Sequence, residues 1–313
     1  MIKTSIPIPL PEVGSVGGID VGWSEKRASS AVARISWNAT SIDVNVKRFR
    51  AIESERSATI LEVLSGGALC VAIDGPLLTG FADGSTYRFA ERVLTLGFQP
   101  YIGKPGQTSS YNGRLLNWHA TRCAMLLANA RLVERAEHEE KIHSLAIVEA
   151  FPTSFLGVLL RDPNGLKNKR KASSDIFYGV LAETGTLEEL VCSLLPARQL
   201  KFSFDEFRNH DDRAAIVCAI TALCVAAGEY TAVGDDDGWI ILPPFRCIQP
   251  WAHERFKQNA GRLKAEGIVP KSSAIKLGLL AGMYNKLSLE EFNALDDEIT
   301  EHFLNGSIFP EVT

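Results

Sequence analysis

Residues 17–23, Gly17-Gly18-Ile19-Asp20-Val21-Gly22-Trp23, decide how the chain reads. Val16 and Ile19 to Val21 suit a buried β-strand, and Asp20 stands among them. A carboxylate set in an apolar strand is costly unless its charge is neutralised. Gly22 lets the backbone turn tightly beside whatever that carboxylate holds. Asp20 therefore points to a site, and the rest of the chain supplies further acids in similar settings.

Working outward, Ser29 to Trp37 is rich in apolar residues, and Ile42 to Phe49 alternates Ile, Val, Val and Phe on one face. Asn38-Ala39-Thr40-Ser41 between them is a turn signal. The expectation is three consecutive antiparallel strands over 16–23, 29–37 and 41–49. Ile60, Leu61 and Leu64 predict a helix over 54–64, which Gly66-Gly67 stops. Ala68 to Ile73 is a continuous apolar run, as in a strand buried on both faces, and ends at Asp74-Gly75-Pro76. A helix is expected over 86–96, a loop over 103–113 and a long helix over 115–136. Leu145 to Val148 predicts another buried strand ending at Glu149, with helical turns from Thr153. Arg161 to Asp175 reads as a basic loop in which Ser173 and Ser174 offer helix caps. Helices follow over 175–183, 186–194 and 211–228, then a short strand over 239–242 closed by Pro243-Pro244. Further helices are expected over 251–266, 272–284 and 288–304. Residues 1–15 read as a flexible lead-in. The organisation is one domain over 16–250 and a helical C-terminal extension, 251–313, packed on it.

Asp74 and Glu149 each end an apolar strand, where ligands gather in open sheets. Asp211 and Asp212 open the apolar helix 211–228. Clustered carboxylates repel one another, and a hard divalent cation with oxygen ligands, Mg²⁺ or Mn²⁺, relieves that repulsion. Two such ions about 3.5–4 Å apart activate a water and stabilise the leaving oxygen in phosphodiester hydrolysis. The candidate metal ligands are Asp20, Asp74, Glu149 and Asp211, with Asp212 as a further catalytic candidate. Each acid has a plainer use. Asp74 suits a turn, Glu149 a buried ion pair, and Asp211-Asp212 the positive end of a helix.

The order of elements and acids is that of the ribonuclease H-like fold. The chain resembles the domain-of-unknown-function-429 family, described as predicted nucleases of that fold. The matching segments are GGIDVGW at 17–23, VAIDGPL at 71–77, IVEAFPTSF at 147–155, HDDRAAIVCAITA at 210–222 and GWIILPP at 238–244. The resemblance implies an α/β fold with a mixed sheet, three antiparallel strands and then parallel ones, flanked by helices around a metal-dependent nuclease core. One departure is visible. Resolvase-type members of the superfamily carry two acids one turn apart on the last helix, whereas here Ala214 stands three residues after Asp211. Asp211 and Asp212 point about 100° apart, so one of them faces the metals. Asp211 is the choice, because it shares a face with Ala214.

Arg88, Arg92, Lys104 and Arg114 are the candidate substrate-binding cations. The first two share a helix face, and the others lie within the glycine- and hydroxyl-rich stretch 103–114, which suits phosphate oxygens or an exposed connector and is no Walker motif. His119 reads as a packed or solvent-facing side chain, and His210 as a capping or surface residue first and an aid to proton transfer second. The basic run at 161–171 suits a nucleic-acid backbone or a solvated loop. Nucleic acid is thus the partner to consider, while the net charge of −4 carries no global signal for it. Six cysteines without a CxxC pair fit reduced thiols in the cytoplasm. The N-terminus lacks a signal-peptide pattern, and no run approaches about 18 apolar residues, so no membrane partner is expected. The oligomeric state is left open. Two other readings compete: a non-catalytic binding protein on the same fold, and an actin- or sugar-kinase-type phosphotransferase, which also starts on a Gly-x-Asp-x-Gly strand. The latter needs a second domain, and no second three-strand start follows residue 150.

Overall fold

The computed structural model describes residues 2–4, 7–77, 87–95, 98, 101, 110–136, 145–166, 172–235 and 238–268. It is an α/β structure with a mixed sheet flanked by helices. The strands are β1 (Ile2–Thr4), β2 (Gly14–Asp20), β3 (Ser30–Trp37), β4 (Ser41–Phe49), β5 (Val71–Asp74), β6 (Ile147–Ala150), β7 (Gln199–Leu200), β8 (Thr231–Asp235) and β9 (Gly238–Leu242). Their spatial order is β1-β8-β9-β6-β5-β2-β3-β4-β7. The helices are α1 (Glu53–Val63), α2 (Phe89–Thr95), α3 (Tyr111–Asn129), α4 (Pro152–Gly157), α5 (Ser173–Glu183), α6 (Thr186–Leu194), α7 (His210–Ala226) and α8 (Pro250–Ala265).

β2, β3 and β4 form an antiparallel meander. β5 joins β2 in parallel, β6 joins β5 and β9 joins β6. The sheet departs from a plain order of three antiparallel strands and then parallel ones. β1 comes first in the chain yet pairs antiparallel with β8 at the far edge, β8 is antiparallel to β9, and β7 runs parallel to β4. β1, β7 and β8 have no counterpart among the expected strands: β1 and β7 are only three and two residues long, and Thr231–Asp235 ends in Gly-Asp, which reads as a turn.

Residue type accounts for the strands at the centre. β5 (VAID) and β6 (IVEA) are apolar without alternation because helices cover both faces of the sheet. β4 alternates buried and exposed positions because one of its faces meets solvent. On one face lies α7, which packs against β2, β3 and β5 and against α4, α5 and α6 on its other side. That double burial is why Ala214 to Val225 is buried all round. Gly18 makes the contact possible: a Cβ there would stand 2.1 Å from the Ala219 backbone N and 2.3 Å from the Ala215 carbonyl oxygen of α7. A Cβ on Gly17 would point the other way, to Leu64 at the end of α1.

Several boundaries move for identifiable reasons. α3 starts at Tyr111 because the Ser110 hydroxyl accepts from the Gly113 N–H at 3.1 Å. It stops at Asn129, where Arg131 takes a left-handed φ of 52° and the chain turns to bridge Ala68 through Val133. α5 begins at Ser173 itself after Ala172, without a side-chain cap, so the expected serine capping is not used. In the C-terminal extension, α8 lies on α2. Asn259 Nδ2 donates to the Val93 carbonyl at 2.6 Å, and Phe256 meets Phe98 at a centroid distance of 5.0 Å. The expected helices 272–284 and 288–304 lie outside the described residues, as does most of the 103–113 loop. Among the described residues, no helix is long and apolar enough to cross a membrane. All six cysteines are free.

Candidate active site on the α7 face of the sheet

β2 ends at Asp20 and β5 ends at Asp74, and the two residues are direct register partners on adjacent parallel strands. Neighbouring strands run about 4.8 Å apart, so these side chains are immediate neighbours. Both lie on the α7 face, since Asp20 shares the side of Gly18 and Asp74 that of Ala72. Asp20 is buried, Asp74 is partly so, and neither has an ion pair among the described residues. Two like charges 5 Å apart repel by about 3 kcal/mol at an effective dielectric constant of about 20. Burial raises the Asp20 carboxyl well above the usual carboxylate range, and the charges of Asp74, Asp211 and Asp212 push it further. Asp74 is pushed up to about 7, by burial first and then by the charge of Glu149, with His210 opposing.

The other two aspartates arrive on the first turn of α7. Asn209 caps this helix, its Oδ1 accepting from the Asp211 N–H at 2.9 Å and the Asp212 N–H at 3.3 Å. The positive end of α7 thus faces the carboxyl ends of β2 and β5. Asp211 acts on Asp20 more strongly than Asp212 does. Asp212 is turned toward β4, where Arg48 Nε lies 3.4 Å from its Oδ1. Burial and the charge of Asp211 raise its carboxyl, while Arg48 opposes.

Glu149 is not on this face. Its register partner on β5 is Ile73, one residue before Asp74, so its side chain leaves the opposite side of the sheet. There it meets Arg88, whose Nη1 and Nη2 donate to its two carboxylate oxygens at 2.8 and 2.6 Å. Arg88 Nε also donates to Glu91 at 2.8 Å, and all three residues are buried. Burial raises the Glu149 carboxyl and Arg88 pulls it back. Gly238, at a φ of 134°, lets β9 pass beside this pair; a Cβ there would stand 2.5 Å from Arg88 Nη1. The catalytic and metal-ligating roles expected of Glu149 are therefore corrected to a structural one, because both of its oxygens are taken by a buried arginine. The substrate-binding role expected of Arg88 is corrected for the same reason.

Of the other expected cations, Arg92 donates from Nε to the Tyr87 carbonyl at 3.3 Å, Arg114 lies half-buried in the first turn of α3, and Lys104 is outside the described residues. His210 Nδ1 lies 3.1 Å from Asp175. His119 is buried, and its Nδ1 faces Arg56 Nη2 at 2.8 Å. Burial, Arg56 and Arg122 drive its pKa down to about 3, so it is a neutral acceptor for a buried arginine.

The donor set suits a hard divalent cation in kind: carboxylate oxygens, close together, with raised pKa values and, among the described residues, no ion pair on Asp20 or Asp74. As the side chains stand, the described residues hold no group of three or more His, Cys, Asp or Glu that closes around a metal. The arrangement is a pair of strand-end aspartates flanked by two more on α7. Arg48 is the neighbour that sequence reasoning passed over. It lies in one cross-strand row with Ala31, Asp20 and Asp74, and counting from the β3–β4 turn would have found it. Comparison of the chain with protein-family models, with curated proteins and with solved structures gave no match.

Proposed function

We propose that the chain is a divalent-metal-dependent nuclease on a ribonuclease H-like fold, of the kind that its motifs resemble in the domain-of-unknown-function-429 family. The observation that carries this reading is the Asp20–Asp74 pair, in register at the ends of parallel strands with the acidic first turn of α7 beside it. The β2–β3–β4 meander, extended in parallel by β5 and β6, supports the fold assignment. Asp20 and Asp74 would hold Mg²⁺ or Mn²⁺, with Asp211 as the third donor after side-chain rotation. A bound cation of this kind lowers the pKa of a water and offsets charge on phosphate oxygens. The protein's own groups do the rest. Asp74 holds its proton up to about pH 7 in the metal-free protein, so a bound cation would displace that proton and be favoured as pH rises. Arg48 holds Asp212 aside, and Asn209 fixes the first turn of α7. Six free thiols agree with a cytoplasmic location for such an enzyme.

The test is hydrolysis of labelled single- and double-stranded oligonucleotides with Mn²⁺ or Mg²⁺. Cleavage by the wild type and its loss in Asp20→Asn is the expected result. Equal cleavage by both proteins refutes the assignment.

A further inference from the structure

Trp23 lies three residues past Asp20 and is 46% exposed, although tryptophan is on average a largely buried residue. Its loop is nevertheless fixed. Ser30 Oγ accepts from the Gly22 N–H at 3.0 Å and donates to the Gly22 carbonyl at 3.2 Å. The Ser24 N–H donates to Ser29 Oγ at 3.3 Å, and the Ser24 carbonyl accepts from the Ala51 N–H at 2.9 Å. Gly22 itself is pressed so close to Ser29 that a Cβ would stand 2.1 Å from its carbonyl oxygen. The indole is thus presented to solvent by a backbone tied down on both sides. The contact with Ala51 sets the loop against the end of β4, where Arg48 is paired with Asp212 and Arg50, just beyond it, with Glu55. Lys26 and Arg27, both exposed, follow on the same loop. An exposed tryptophan followed by two exposed cations, within about 10 Å of chain from the acidic pair, matches no packing role.

We propose that Trp23 is a stacking platform for a base of single-stranded nucleic acid whose backbone runs past Lys26 and Arg27 to the Asp20–Asp74 pair. This rests on the nuclease reading and names its substrate form. An aromatic face takes any unpaired base, whereas bases in a duplex are already stacked on one another. Cations spaced along the approach fit the phosphates.

The experiment measures binding of a fluorescein-labelled single-stranded oligonucleotide and its duplex by anisotropy in EDTA, for wild type, Trp23→Ala and Trp23→Phe, with Mn²⁺-dependent cleavage in parallel. Stacking is worth about 1–3 kcal/mol per base, so Trp23→Ala should weaken single-strand binding roughly 5- to 150-fold, with Phe restoring most of it. Duplex binding should change less than twofold. The Mn²⁺-induced rise in melting temperature should be the same in all three proteins, which separates lost stacking from a damaged metal site. Unchanged single-strand affinity in Trp23→Ala overturns the proposal and leaves the nuclease reading standing if cleavage persists. Equal losses on single strand and duplex also overturn it. If the wild type neither binds nor cleaves nucleic acid, the nuclease reading fails, and this proposal with it.

Discussion

Replacing Asp74 with asparagine should change how the stability of the fold depends on pH. The folded protein holds the Asp74 proton up to about pH 7, against an ordinary value of 3.8. A carboxyl with a raised folded pKa contributes stability that is fully present below the unfolded value and is lost as pH rises through the folded one. Between pH 4 and 7 the unfolded chain releases this proton and the folded chain keeps it. Three pH units at about 1.36 kcal/mol each give roughly 4 kcal/mol, an upper figure because Asp74 keeps some exposure. With about 2.1 cal/mol/K of unfolding entropy per residue over 313 residues, this equals a fall of roughly 6 °C in melting temperature. An asparagine side chain at this position would imitate the protonated form throughout. Asp74→Asn should therefore match the wild type near pH 4.5 and exceed it by several degrees at pH 8, measured by calorimetry in EDTA. Removing this charge also relieves Asp20, which widens the gap. Saturating Mn²⁺ at pH 8 should raise the wild type and leave the variant nearly unmoved. Parallel curves for the two proteins from pH 4.5 to 8 would show that the pair is not electrostatically strained, and would refute the reasoning.

Three further outcomes follow from the same structure. Arg88→Met takes from the buried Glu149 the arginine that holds both its oxygens, so it should destabilise by about 3–5 kcal/mol, whereas Arg88→Met with Glu149→Leu should recover part of the loss in denaturant unfolding. Gly18→Ala drives a Cβ into the α7 backbone, so it should cost at least about 1–3 kcal/mol and also lower Mn²⁺-dependent cleavage, because α7 carries Asp211. Asn209→Ala removes the cap of α7; a loss of about 1 kcal/mol in thermal unfolding is expected, and no loss would mean that the first turn is held by other contacts.

Much of this arrangement was legible in the sequence, and the limits have physical causes. β2–β5 were readable because their apolar runs are bounded by glycine, asparagine and aspartate turns. β1 and β7 were not, because strands of three and two residues take their identity from their neighbours in the sheet rather than from their own pattern. The end of α3 was overrun because Arg131 adopts a left-handed conformation with no glycine to announce it. The expected meeting of Asp20, Asp74, Glu149 and an acid of α7 is met in part: Asp20 and Asp74 are register partners and the charges of Asp211 and Asp212 reach Asp20, while Glu149 leaves the other face. The contact between α7 and β2 was also written in Gly17-Gly18, yet the sequence does not say which glycine faces which helix.

Glu149 shows where such reasoning fails and why. Asp74 and Glu149 looked alike: each ends a short apolar strand, each precedes a proline, and each is the only acid in its run. Position along a strand fixes how near a side chain lies to the end of the sheet, but its face follows from register, and one residue reverses it. Asp74 pairs with Asp20 and joins the open side under α7, while Glu149 pairs with Ile73 and enters the closed side with Arg88. The two environments then assign the chemistry. Glu149 has a buried arginine locked across both its oxygens and is poorly placed to exchange protons or ligands. Among the described residues Asp20 and Asp74 have no such partner, so their repulsion is left for a cation or a proton to relieve. An acid that the fold satisfies is structural; an acid that it buries and leaves unsatisfied is the one to test for function.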